Sequence, residues 1–126
     1  MKPLKIGMVG LGRLGKRHAE NLALRTPGAS IEAACSVVPE ELEWAQERLG
    51  VKNLFGDYGA MLVSADIDAV FIASSSAVHA AQAIAALKAG KHVFCEKPMG
   101  ISIQECLEVE AAAAAHPKST FMVGFV

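Results

Sequence analysis

Lys5-Ile6-Gly7-Met8-Val9-Gly10-Leu11-Gly12-Arg13-Leu14-Gly15 is the stretch from which the rest of this chain is read. Its first half is a short apolar strand. Gly10, Gly12 and Gly15 then stand in a G-x-G-x-x-G turn, and a helix opens at about Leu14. Three glycines at this spacing arise by chance in many chains, and by themselves they are also read as a plain strand-to-helix turn with no ligand. A strand before them and an amphipathic helix after them supply a mechanism for binding a dinucleotide. Gly10 allows the tight turn, Gly12 lets the backbone approach a pyrophosphate, and Gly15 lets the helix pack close to the strand. Free N–H groups at the helix start, with the positive end of its dipole, hold the phosphate charge. Gly10, Leu11, Gly12, Arg13, Leu14 and Gly15 are therefore assigned to a phosphate cradle.

The 126 residues suffice for one domain with a core and are too few for two. At 52% hydrophobic residues, a packed interior is expected and disorder is not. The 12 basic and 13 acidic side chains nearly cancel, which argues against nucleic acid as a partner. No apolar run approaches the roughly 18 residues that span a bilayer, so no membrane partner is expected. Met1-Lys2-Pro3-Leu4-Lys5 leads straight into a strand and shows no signal-peptide pattern. Cys35, Cys95 and Cys106 lie far apart and form neither a C-x-x-C pair nor a zinc set with His18, His79, His92 or His116. No metal is expected, and reduced thiols in the cytoplasm are.

The first helix should run to Arg25, with Ala19, Leu22 and Ala23 inward, and end at Thr26-Pro27-Gly28. Ser30 to Ser36 reads as a second strand. Pro39, Glu40 and Glu41 favour the start of a helix that stops at Gly50. Asn53 to Phe55 is a short third strand, and Asp57 caps a helix through Met61 and Leu62. Ala69-Val70-Phe71-Ile72-Ala73 is a continuous apolar run, as in a strand buried on both faces of a parallel sheet. Ser74 to Ser76 is a loop, Val78 to Ala89 a helix, and His92 to Cys95 a fifth strand. Ser102 and Glu105 form a capping box for a helix to Ala115, and Thr120 to Val123 is a sixth strand. This alternation predicts a doubly wound parallel α/β sheet in three α/β/α layers, with the ligand crevice beyond the strand C-terminal ends. Those ends are the glycine turn, Ser36, Ser74 to Ser76, Glu96 to Pro98, and Gly124-Phe125. A chain that stops at Val126 directly after a strand is expected to be a truncated or engineered piece.

Four segments carry a resemblance: Val9 to His18 around the glycines, Ile67-Asp68-Ala69-Val70, Ser74 to His79, and Ala89-Gly90-Lys91-His92-Val93-Phe94-Cys95-Glu96-Lys97-Pro98. Together they resemble the Gfo/Idh/MocA family of oxidoreductases, and Glu-Lys-Pro after the Ala-Gly-Lys-His-Val lead-in is the most specific element. Cys35 to Leu42 and Met122 to Val126 look most like the inositol 2-dehydrogenase branch. The resemblance covers essentially the whole chain. It implies an NAD(P)-binding Rossmann fold across residues 1–126, with the family's C-terminal substrate domain absent. It further implies hydride transfer between a nicotinamide cofactor and a polyol or sugar substrate, in a full-length parent that is a homo-oligomer. The face that meets the missing domain is then exposed and prone to self-association.

Lys97 matches the family's Glu-Lys-Pro lysine and is the catalytic candidate. Oxidising a secondary alcohol requires a group that takes the hydroxyl proton. A cationic nicotinamide ring and exclusion of water both favour a neutral, proton-accepting amine. Read without the resemblance, Lys97 is a solvated loop lysine. Glu96 contacts the cofactor or orients Lys97, and Pro98 shapes the loop, with no signal deciding between cis and trans. Ser36 stands where NAD sites usually carry Asp or Glu for the ribose 2′-hydroxyl. That position offers no carboxylate against a 2′-phosphate and no adjacent Arg to hold one, so Ser36 itself admits either cofactor; NAD is the expected cofactor and NADP is possible. Two readings stand for Arg13: a contact to the adenosine phosphate side, which would favour NADP, or an exposed charge at a helix start. Ser74, Ser75 and Ser76 either line the crevice near the nicotinamide ribose or cap the next helix; the family commonly has Thr-Pro-Asn there. His79 is counted among the cofactor-facing residues, although a packing or capping role at the helix start suits it better than proton transfer. His18 reads as structural and Cys95 as a buried apolar residue. The alternatives to an oxidoreductase are a non-catalytic dinucleotide sensor, which has no need of Lys97, and an adenosylmethionine-dependent transferase, against which six strands and Glu-Lys-Pro speak.

Overall fold

The computed structural model describes residues 2–124, so Phe125 and Val126 lie outside it. Its elements are β1 (Leu4–Val9), α1 (Arg13–Leu24), β2 (Ala29–Cys35), α2 (Pro39–Leu49), β3 (Asn53–Phe55), α3 (Tyr58–Ser64), β4 (Ala69–Ile72), a 3₁₀ turn (Ser76–Val78), α4 (His79–Lys88), β5 (His92–Glu96), α5 (Ile103–Ala115) and β6 (Phe121–Gly124). The sheet is parallel throughout, in the order β3-β2-β1-β4-β5-β6. This is the doubly wound three-layer arrangement, with its switch in strand order between β1 and β4.

Local chemistry sets the element ends. The Asp57 carboxylate accepts from Ala60 N–H at 2.9 Å and starts α3. Ser102 Oγ accepts from Glu105 N–H at 3.1 Å, while Glu105 Oε1 reaches one residue past the cap to Ile101 N–H at 2.9 Å. Gly50 takes φ +71 and closes α2. The expected start of α4 moves from Val78 to His79, because Ser76–Val78 wind into the tighter 3₁₀ turn first.

Two cores sandwich the sheet. Along β4, Val70 and Ile72 face a core shared with α3, α4 and α5, including Met61, Ala83, Leu87 and Val109. Ala69 and Phe71 face the opposite core, with Ala19 of α1 and Ala45 of α2. All four β4 residues are buried, as the unbroken apolar run requires. Burying each Val, Ile or Phe side chain contributes about 1.5–3 kcal/mol. On the α1 face, a shallow apolar groove of about 450 Å³ lies over Leu4, Ile6, Phe71, Phe94 and Met122, toward the strand N-terminal ends. It is remote from the crevice that the topology defines.

Candidate cofactor site

The parallel pairing brings Val9, Cys35 and Ile72 to one level, so the turns after β1, β2 and β4 open together. Between them lies a cleft of about 500 Å³. The glycines around it are required for different reasons. Gly10 has φ +90, and a Cβ there would lie 2.6 Å from the Ala73 carbonyl and from Ser74 N. A Cβ on Gly15 would overlap the carbonyl oxygen of Gly10. Gly12 has an ordinary φ of −72, and a Cβ on it would meet nothing within 4 Å. The fold therefore needs Gly10 and Gly15, whereas Gly12 borders the open cleft, into which a side chain there would project.

The start of α1 matches a phosphate cradle. Gly12 is its N-cap and offers no side chain to satisfy the first-turn donors. The first bond that closes the helix runs from Lys16 N–H to the Gly12 carbonyl at 2.8 Å. The N–H groups of Arg13, Leu14 and Gly15 have no acceptor inside the helix. Free donors and the positive dipole end suit an anion such as a pyrophosphate. A dinucleotide fits this chain on those two observations.

Among the residues expected at the site, the cleft joins Gly10, Leu11, Gly12, Ser36, Ser74 and Ser75. Leu11 is 1% exposed and offers only its backbone. Ser74 Oγ donates to Gln82 Oε1, and Ser75 and Ser76 are exposed. No serine hydroxyl caps α4 or the 3₁₀ turn, so the capping alternative is not found. Ser36 brings a partner that the sequence reading missed: its hydroxyl donates to Glu41 Oε1 at 2.6 Å and accepts from Val38 N–H at 3.0 Å. The end of β2 itself carries no carboxylate, and one stands beside it from α2. Pro39 at the first position of α2 puts Glu41 at the third, from which a side chain reaches back toward the helix start.

Two further expectations change. His79 is 2% exposed and does not face the open cleft. Its Nε2 lies 2.7 Å from the Ser74 carbonyl and its Nδ1 2.7 Å from the Pro98 carbonyl. It ties the loop after β4 to the loop after β5, and it is not on the cleft wall. Glu96 is 6% exposed, and its Oε2 lies 3.0 Å from His18 Nε2. The His18 ring packs 4.8 Å from Phe71, which stacks on Phe94 at 4.4 Å. Glu96 is thus turned toward α1, and His18 is the residue that holds it there.

Lys97 follows directly on the loop, exposed, with no hydrogen bond or ion pair among the described residues. The partial desolvation expected of it is not supplied by the described residues. The Lys97–Pro98 peptide is cis. Arg13 and Leu14 are exposed at the head of α1, outside the cleft wall. Burial, with Asp57 nearby, pushes the Cys35 thiol up to about 11. Burial, with Glu96 nearby, does the same to Cys95. Both are therefore neutral thiols and poor nucleophiles at pH 7. Burial also holds the Tyr58 phenol well above its ordinary range, and its Oη donates to the Gln82 carbonyl at 2.6 Å. No helix among the described residues is long and apolar enough to cross a membrane.

Comparison with known proteins agrees with this geometry. Residues 4–125 match a family model described as the GFO_IDH_MocA oxidoreductase family, NAD-binding Rossmann fold. The inositol 2-dehydrogenase of Salmonella typhimurium is 33% identical over 124 residues, which cover 98% of this chain and 37% of that protein. A crystal structure of scyllo-inositol dehydrogenase from Lactobacillus casei, with bound cofactor NAD(H) and scyllo-inositol, is 50% identical with a TM-score of 0.96. The match covers 98% of this chain and 36% of that one. Myo-inositol 2-dehydrogenase from Lactobacillus plantarum is 40% identical with a TM-score of 0.95, over 98% of this chain and 36% of that one. The chain thus spans a little over a third of the length of these relatives.

Proposed function

Because this chain belongs to the Gfo/Idh/MocA oxidoreductase family and matches its NAD-binding Rossmann domain from residue 4 to residue 125, we propose that it is the cofactor-binding part of a dehydrogenase that moves hydride between an inositol-like polyol or sugar and NAD. The observation that carries this reading is the cradle at Gly12, where open space meets the uncapped start of α1.

Bound NAD supplies the hydride acceptor. The chain's own residues bind, orient and move protons. The N–H groups from Gly12 to Gly15 hold the pyrophosphate, with Leu11 contributing backbone from the turn. Ser36 stands at the adenosine ribose. Ser74, Ser75 and Ser76 stand at the nicotinamide ribose. Lys97 Nζ takes the hydroxyl proton of the substrate alcohol as the carbon gives up hydride. Glu96, held by His18, and Pro98, whose carbonyl faces His79, fix the loop that carries Lys97. The drier surroundings that favour a neutral Lys97 come from the bound cofactor and from the part of the relatives' length beyond this chain.

Residues 1–126 are on this reading a single dinucleotide-binding domain. Substrate contacts and the homo-oligomeric assembly belong to the longer protein. Three free cysteines suit a reducing, cytoplasmic setting. The test is a steady-state assay of the full-length protein with myo-inositol, scyllo-inositol and glucose, following reduced nicotinamide by its absorbance. Polyol-dependent reduction of NAD is the expected result. NAD binding without reduction by any polyol or sugar would point instead to a sensor.

A further inference from the structure

Resting on the reading of the cleft as the NAD site, we infer that Glu41 is the residue that selects the adenosine end of the cofactor, holding an unphosphorylated ribose and rejecting a 2′-phosphate. The carboxylate that such sites carry at the end of the second strand is replaced here by Ser36, and the structure moves it onto α2.

The hydrogen bonds leave little freedom. A serine hydroxyl has one proton. Ser36 gives it to Glu41 Oε1 at 2.6 Å, and Ser36 Oγ itself accepts from Val38 N–H at 3.0 Å. Ser36 therefore has no donor left for a phosphate. Glu41 is half-buried, and its remaining lone pairs accept only, which matches the two hydroxyls of a ribose. The cleft wall contains no Lys or Arg, and Glu41 is its sole carboxylate. The other ionisable groups on the wall, Cys35 and Tyr58, are neutral at pH 7. Arg13, the basic residue of the glycine turn, is exposed and stands outside that wall. A 2′-phosphate would bring a second negative group against Glu41 with no cation on the wall to balance it, and like charges so placed discriminate strongly. Val37, 88% exposed on the same wall, offers an apolar surface that an adenine ring would cover.

The experiment is calorimetric titration of this chain with NAD and, separately, with NADP, for the wild type, Glu41→Gln, Glu41→Asp and Glu40→Gln. Glu40 is an exposed neighbour outside the cleft wall and serves as the charge control. The wild type is expected to bind NAD about a hundredfold more tightly than NADP. Glu41→Gln should bring the ratio within about tenfold, by weakening NAD and strengthening NADP. Glu41→Asp, which restores the charge, should keep most of the preference, and Glu40→Gln all of it. A Glu41→Gln protein that binds both ligands with the wild-type ratio overturns the inference. So does a wild type that binds NADP as tightly as NAD, although the cleft then remains a dinucleotide site. Failure of the wild type to bind either ligand overturns the site reading as well, which separates the two.

Discussion

Gly12→Ala separates what the fold needs from what the ligand needs. The new methyl would meet no protein atom within 4 Å, and φ −72 suits any residue. Two small terms then oppose each other. Replacing Gly reduces the freedom of the unfolded chain and stabilises by about 0.4–1 kcal/mol. Alanine is a poorer N-cap than glycine, which costs about the same. The net change should stay within about 1 kcal/mol, or a melting shift of roughly 4 °C or less for a domain of this size. The methyl instead occupies the space assigned to the pyrophosphate, and NAD affinity should fall at least about tenfold, or about 1.4 kcal/mol. Gly10→Ala is the mirror case. It forces a side chain to φ +90, costing about 1–2 kcal/mol, and places a Cβ 2.6 Å from backbone atoms of Ala73 and Ser74. Its melting temperature should drop by about 10 °C or more. Differential scanning calorimetry and NAD titration on both variants give the four numbers. Unchanged NAD affinity in Gly12→Ala would refute the placement of the phosphates, and a Gly12→Ala protein as unstable as Gly10→Ala would refute the geometry.

Other outcomes follow from the same structure. In the full-length protein, Lys97→Ala should leave NAD affinity within about twofold while kcat falls by about 10²–10⁴; wild-type turnover would remove Lys97 from the chemistry. His79→Ala should cost about 2–4 kcal/mol, since it empties a buried site and takes away the ring N–H that a loop carbonyl accepts from; urea denaturation measures this, and a loss under 1 kcal/mol would contradict the brace. The Cys35 and Cys95 thiols are raised from 9.0 to about 11 in the folded chain, so they favour folding below pH 9 and that contribution is lost as pH rises through about 11. Replacing both by Ala should flatten the fall in stability between pH 9 and 11, and an unchanged slope would contradict the burial argument.

The fold was legible because its signals are local. The apolar run Ala69 to Ile72, Pro39 at the start of α2, Asp57 and Ser102 as caps, and Gly50 as a stop each act within a few residues. The glycine turn was legible for the same reason. The braces were not, because their partners are distant in sequence. His18 and Glu96 are 78 residues apart, and His79 meets Pro98 across 19. No periodicity encodes such pairs. Glu41 lies between these cases. Its distance from Ser36 is only five residues, and Pro39 fixes the helix start that turns it back. The strand end alone does not disclose it, whereas counting helix positions from Pro39 puts its side chain back beside Ser36.

The most direct measurement of the central claim is calorimetric titration of this chain with NAD, with adenosylmethionine as the control ligand. One NAD per chain is expected, with a dissociation constant in roughly the micromolar to millimolar range, displaced by NADH and lost in Gly12→Ala. No binding of NAD at millimolar concentration, or tighter binding of adenosylmethionine, would contradict the account.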